Sequence, residues 1–226
     1  MLKIERSFTT GLISEGNIVS LHALATFTTD AATQEVGATL NNFNLNWTYN
    51  RNANDPESQT INNGIGLVAV NLRTYAVTGA ALTTSTTYTI DAVGDDVTWG
   101  ATVGNPSSLS LTISFLPRRY FGVSSSLITT GAGIITAFGA TGEFATSRVV
   151  SKTFDASVSG GANYIYYSYP TSFGAPVTVT FNGFLFTDYT LSTVSLTNAS
   201  GFTQNYYIMR TNNVFSGAMI VYAITS

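Results

Sequence analysis

Side chains able to do chemistry are scarce in this 226-residue chain, so their spacing decides what they can do. There is no Cys and only one His, His22, which excludes disulfides, thiolate nucleophiles, Cys-ligated zinc and any two-His metal site. His22 could act as a general base, but no acidic partner is marked to orient it, and a structural or surface role is expected. Asp91, Asp95 and Asp96 surround Gly94 and offer the hard oxygen ligands that a cation such as calcium takes. They are weak metal candidates, because the Asp-x-Asn-x-Asp-Gly spacing of an EF-hand is missing and Asp-rich turns are common. No metal and no cofactor is therefore assigned. A glycosidase would need two carboxyl groups about 5 to 10 Å apart, and nothing in the sequence singles out such a pair. Glu143 and Asp155 are expected to be solvated, or ion-paired to Arg148 or Lys152. The triplets Asn46-Trp47-Thr48 and Asn198-Ala199-Ser200 match the glycosylation acceptor pattern, as chance allows in a chain rich in Asn and Thr. No enzymatic activity is expected.

The most distinctive string is Tyr164-Ile165-Tyr166-Tyr167-Ser168-Tyr169-Pro170, followed by Phe173, Phe181, Phe184 and Phe186. Strand alternation puts Tyr164, Tyr166 and Ser168 on one face and Ile165, Tyr167 and Tyr169 on the other. Both faces carry aromatic rings. If one face is open to solvent, Tyr167 and Tyr169 could stack on a carbohydrate or cover a subunit interface. The competing expectation is that the rings fill a core and its Pro170 corner. Stacking on single-stranded nucleic acid lacks the basic groove that should accompany it.

These residues must be positioned by strands. Only 9 % of the chain is charged and 44 % is apolar, while Thr, Ser and Asn together make up about a third of it. That composition suits a folded domain rather than a disordered segment. The net charge is -3, and no basic cluster exceeds Arg118-Arg119, so no nucleic-acid partner is expected. Alternation at Phe43, Leu45, Trp47 and Tyr49, and at Leu109, Leu111, Ile113 and Phe115, predicts half-buried strands. Further strands are predicted at Ile65–Val70, Thr83–Ile90, Val149–Phe154, Tyr164–Tyr169, Val177–Phe181, Val194–Leu196, Asn205–Met209 and Met219–Ile224. Turns are expected at Asn63-Gly64, Gly79, Asp91 to Asp96, Asn105-Pro106 and Asn182-Gly183. The uncharged stretch Tyr120–Gly142 predicts a short helix or ordered loop, with Ile134, Ile135 and Phe138 at helical spacing. It is too rich in Ser, Thr and Gly for a membrane span. The N-terminus carries Lys3, Glu5 and Arg6 and lacks the continuous apolar stretch of a signal peptide. The pattern predicts an all-β protein: two tandem antiparallel β-sandwiches, Ig-like or jelly-roll-like, over 33–117 and 118–226. Residues 1–32 precede them as a docking arm or an edge segment.

The strings Glu35-Val36-Gly37-Ala38-Thr39, Leu45-Asn46-Trp47-Thr48-Tyr49-Asn50, Ile61-Asn62-Asn63-Gly64-Ile65-Gly66 and Arg118-Arg119-Tyr120-Phe121-Gly122-Val123 resemble a β-sandwich module of tailed-bacteriophage tail fibres and other virion appendages. Leu72-Arg73-Thr74-Tyr75 and Thr86-Thr87-Tyr88-Thr89 belong to the same likeness. The second half is similar to the module that often follows, through Phe154-Asp155, Tyr164 to Gly174, Asn182-Gly183, Thr187-Asp188, Asn198 to Gly201 and Tyr206 to Asn213. No long shaft repeat, heptad coiled coil or large anchoring domain accompanies them. The resemblance implies a structural protein of the virion, homotrimeric, in contact with other virion proteins. Its place would be in a fibre, a collar or a decoration of the neck or head, with residues 1–32 as the attachment arm. The alternative is a host-attachment protein that binds surface polysaccharide through exposed Tyr167 and Tyr169.

Overall fold

The computed structural model describes residues 23–49, 56–94, 105–157, 161–216 and 220–225. The first strands are β1 (Leu24–Thr29), β2 (Gln34–Glu35), β3 (Phe43–Tyr49), β4 (Ser58–Ile61), β5 (Gly66–Val68), β6 (Thr74–Val77), β7 (Thr86–Gly94) and β8 (Asn105–Ile113). Then come β9 (Phe115–Leu116), β10 (Arg118–Ser124), α1 (Gly131–Phe138), β11 (Glu143–Phe144), β12 (Val150–Phe154) and β13 (Tyr164–Pro170). The last are β14 (Thr178–Phe181), β15 (Phe184–Leu185), β16 (Tyr189–Thr197), β17 (Thr203–Thr211) and β18 (Ile220–Thr225). The protein is all-β, and among the described residues its sheets are antiparallel apart from the short parallel pair β2–β9. Among the described residues no helix is long and apolar enough to cross a membrane.

The chain forms two compact units, one of residues 1–32 and 40–113, the other of residues 33–39 and 114–226. The segment 33–39, which the sequence pattern groups with the first sandwich, thus belongs with the second. In the first unit, sheet β1-β3-β6 and sheet β5-β4-β7-β8 contribute to the interior. β3 alternates as its sequence requires, with Phe43, Leu45, Trp47 and Tyr49 buried. The ring of Phe43 meets that of Tyr88 on β7 edge-on, with centroids 5.6 Å apart. Gln59 on β4 is fully buried and fully used. Its Oε1 accepts from Trp47 Nε1 at 3.1 Å and Tyr49 Oη at 2.8 Å, and its Nε2 donates to the carbonyls of Ala69 and Leu72. Of residues 1–32, Leu24–Thr29 pair with β3 as an edge strand, so that part is built into the sheet.

Two expected turns are strand instead. Asp91 to Gly94 continue β7, and Asn105-Pro106 begin β8, pairing with Gly94 and Val93. Proline is admissible there because β8 is an edge strand and Pro106 lies near its start. The Asn-Gly turns do form. Asn182 (φ 49°) and Gly183 (φ 84°) join β14 to β15 through two residues of positive φ, the combination a type I′ hairpin needs.

The second unit has a five-stranded sheet, β11-β10-β13-β17-β16, and a four-stranded sheet, β12-β18-β14-β15. Side chains of both sheets share one apolar cluster, with Val150, Phe154, Val179 and Phe181 from the smaller sheet and Ile165, Tyr167, Tyr169 and Met209 from the larger. The arrangement is β-sandwich-like. A second cluster lies on the other face of the five-stranded sheet, where Ile134 and Phe138 of α1 pack with Tyr120, Tyr166, Leu196, Tyr206 and Ile208. α1 begins at Thr130, whose Oγ1 accepts from Gly133 N–H at 3.1 Å. It can lie close to the sheet because Gly131 and Gly122 offer no side chain. A Cβ at Gly131 would come within 2.2 Å of Ser195 O, and one at Gly122 within 2.4 Å of the Phe138 ring.

Candidate functional site

The Tyr-rich string forms β13, the central strand of the five-stranded sheet, and both of its faces are covered. Tyr166 faces α1, and its hydroxyl donates to Ser126 O while accepting from Ile128 N–H. Tyr167 and Tyr169 point into the core between the sheets and are 1 % and 0 % exposed. The expectation that these two rings offer a carbohydrate-stacking surface is therefore corrected. The four-stranded sheet packs over the face that carries them, so neither ring is open to solvent. Tyr167 Oη donates to Arg148 O at 3.0 Å, and burial pushes its hydroxyl up to about 12.

The acidic candidates are dispersed or already paired. Asp91 is an exposed residue of β7, opposite Thr60 and Ser108. Asp95, Asp96 and His22 lie outside the described residues. Among the described residues no three His, Cys, Asp or Glu side chains gather as a metal site would require. Glu143 on β11 holds Lys152 Nζ on one oxygen and Arg119 Nη2, at 3.3 Å, on the other. Its expected partner Arg148 is engaged elsewhere, donating to Phe173 O at 2.6 Å. The hydrogen bond from Lys152 is the main reason the Glu143 carboxyl is held below its ordinary value. Asp155 accepts from the backbone and hydroxyl of Ser157 rather than from Arg148 or Lys152, which lowers its carboxyl too. Asn198 of the second glycosylation triplet is buried. It donates to Val36 O at 2.7 Å and accepts from the N–H groups of Ser200 and Phe202.

A cleft in the second unit gathers residues that the sequence keeps far apart. It has a volume of about 480 Å³ and is lined by Glu35, Arg118, Tyr120, Ile135, Ala140 and Ala199, with Gly139 on its wall. Glu35 arrives on β2, held parallel to β9 by Gln34 N–H to Ser114 O and Val36 N–H to Leu116 O. Asn198 clamps the next turn of chain. Gly37 (φ 89°) lets the chain pass Phe202, since any Cβ there would lie 2.3 Å from Phe202 Cβ. Arg118 and Tyr120 come from β10. The Arg118 guanidinium lies 4.3 Å from the Phe144 ring centroid and donates through Nη1 to Gly142 O. Its Nε stands 3.9 Å from Glu35 Oε1, and Tyr120 Oη donates to the same oxygen at 3.5 Å. Burial, first of all, raises the Tyr120 hydroxyl far above its ordinary value, so it stays a donor. Glu35 and Tyr120 are 85 positions apart, and no local motif announces their meeting. In the first unit, a groove of about 440 Å³ beside β6, between Tyr75 and the Asn63-Gly64 turn, has no acidic or basic side chain in its lining.

No family model matches the chain, and comparison with curated proteins and with solved structures finds no match.

Proposed function

We propose that this chain is a structural, non-enzymatic component of a tailed-phage virion, in a fibre, a collar or a decoration, that assembles as a homotrimer and projects its β units from the particle. The structural observation that supports a structural, assembled part is how the exposed sheet faces are made. Thr26 pairs with Thr48 across strands at 2.7 Å, Thr87 with Thr112, Thr89 with Ser110 and Thr197 with Thr203 each at 2.8 Å, all exposed. Such hydroxyl ladders stabilise a solvated sheet without charge. They tolerate changes of salt that would weaken exposed ion pairs, and they leave few charges to be desolvated when subunits pack. A part that must persist outside a cell gains from both properties. The virion assignment itself rests on the module resemblance of the sequence.

Because β1 is part of a sheet, the docking role proposed for residues 1–32 is assigned to residues 1–22, which lie outside the described residues. Deleting residues 1–22 should abolish incorporation into particles of a chain that still shows the circular dichroism of a β-sheet protein. Normal incorporation overturns the docking role. Light scattering of the intact chain should report three copies, and a monomer or dimer overturns the trimer.

A further inference from the structure

We propose that the Glu35–Arg118 cleft binds a neutral polyhydroxylated ligand, a saccharide ring held through two adjacent hydroxyl groups. The site is distinct from the Tyr-rich strand and does not depend on the virion reading. Glu35 drives the inference. Its side chain is only 12 % exposed, yet its two protein contacts are long, Tyr120 Oη at 3.5 Å and Arg118 Nε at 3.9 Å. A carboxylate removed from water to that extent is ordinarily well satisfied. Here most of its accepting capacity is left facing the cleft.

Arg118 cannot close the gap, because the Gly142 carbonyl and the Phe144 ring hold its guanidinium. The site therefore keeps an acceptor and a donor side by side, and their charges cancel. Net neutrality disfavours a simple cation or anion, each of which would meet one like charge. Neighbouring hydroxyls fit the arrangement, one donating to Glu35 and the next accepting from Arg118. Ile135 and Ala140 present carbon surface for the C–H face of a ring, and the small Gly139 and exposed Ala199 leave the entrance open. The volume of about 480 Å³ is that of a small-ligand site.

The test is a titration of the full chain, isotope-labelled, with the methyl glycosides of glucose, galactose and mannose, followed by amide chemical shifts. Butylammonium chloride and sodium acetate serve as charged probes. At least one glycoside should give saturable shifts at Gly139, Ala140 and Ala199 at millimolar concentration. Glu35→Gln should weaken that binding about tenfold, as when a charge-assisted hydrogen bond becomes a neutral one. If Glu35→Gln disturbs folding, Ala199→Leu at the exposed rim blocks the cleft without touching the ion pair, and should abolish the shifts. The proposal is overturned if none of the glycosides shifts these amides, if only a charged probe does, or if neither substitution changes the response. Incorporation into particles should be unaffected by either substitution, which separates this test from that of the docking role.

Discussion

Tyr167 and Tyr169 sit two positions apart on one strand face, and their hydroxyls have opposite fates. Tyr167 Oη donates to Arg148 O, whereas Tyr169 Oη is buried with no hydrogen-bond partner among the described residues. A made hydrogen bond contributes about 1 kcal/mol, while an unmade buried one leaves a desolvation cost of about 1–3 kcal/mol. Tyr167→Phe should therefore lower stability by about 1 kcal/mol, and Tyr169→Phe should leave it unchanged or raise it by about as much. Urea denaturation of both variants decides; equal losses at the two positions would contradict the assignment of partners. The sequence shows that both faces of this strand are aromatic. It does not show that both are covered, because the covering groups, Phe181 on one side and Phe138 on the other, come from distant elements.

At the scale of elements, α1 depends on close approach to the sheet. A methyl at Gly131 would strike backbone atoms, Ser195 O at 2.2 Å and Leu196 Cα at 2.8 Å, which cannot swing aside. Gly131→Ala should cost about 1–3 kcal/mol, more than the helix propensity it gains. Gly139→Ala is the control. A Cβ there meets only Ile135 Cγ2 at 3.6 Å, and the backbone is already right-handed helical, so stability should hold or rise by about 0.4–1 kcal/mol. Chemical denaturation followed by circular dichroism separates the two; a Gly131→Ala protein as stable as the parent would show that the helix is not seated as described. Ile134 and Phe138 at helical spacing were legible in the sequence, as were the Asn-Gly hairpin and the alternation of β3. The strand nature of Asp91–Gly94 and Asn105-Pro106 was not, because turn-forming residues were outweighed there by pairing along the whole of β7 and β8.

For the whole molecule, scarce charge makes the pH response simple. Burial raises the hydroxyls of Tyr88, Tyr120, Tyr166, Tyr167, Tyr169 and Tyr206, with Tyr167 and Tyr206 reaching about 12. The folded state keeps these protons where the unfolded chain releases them, so the stabilisation is whole below about pH 10 and is lost as pH rises through the folded values. On the acid side, Lys152 lowers Glu143, Asn44 lowers Asp30 and Ser157 lowers Asp155, so their contribution is present above the ordinary carboxylate range and lost as pH falls through the depressed values. The melting temperature should be flat from about pH 5 to about pH 10 and decline on either side, and the tyrosinate absorbance of the buried rings should rise only above the ordinary tyrosine range of about pH 10. A decline beginning near neutrality, or a single tyrosine phase at about pH 10, would contradict this. What the sequence determined by itself is what neighbouring residues settle: strand alternation, helical spacing and turn chemistry, and with them an all-β chain of low charge. Tertiary structure alone decided which aromatic faces are covered, that residues 33–39 join the second unit, and that Glu35 meets Arg118 and Tyr120. Those outcomes depend on strand pairing between residues far apart in the chain, and no local periodicity encodes which partner a strand edge or a sheet face will find.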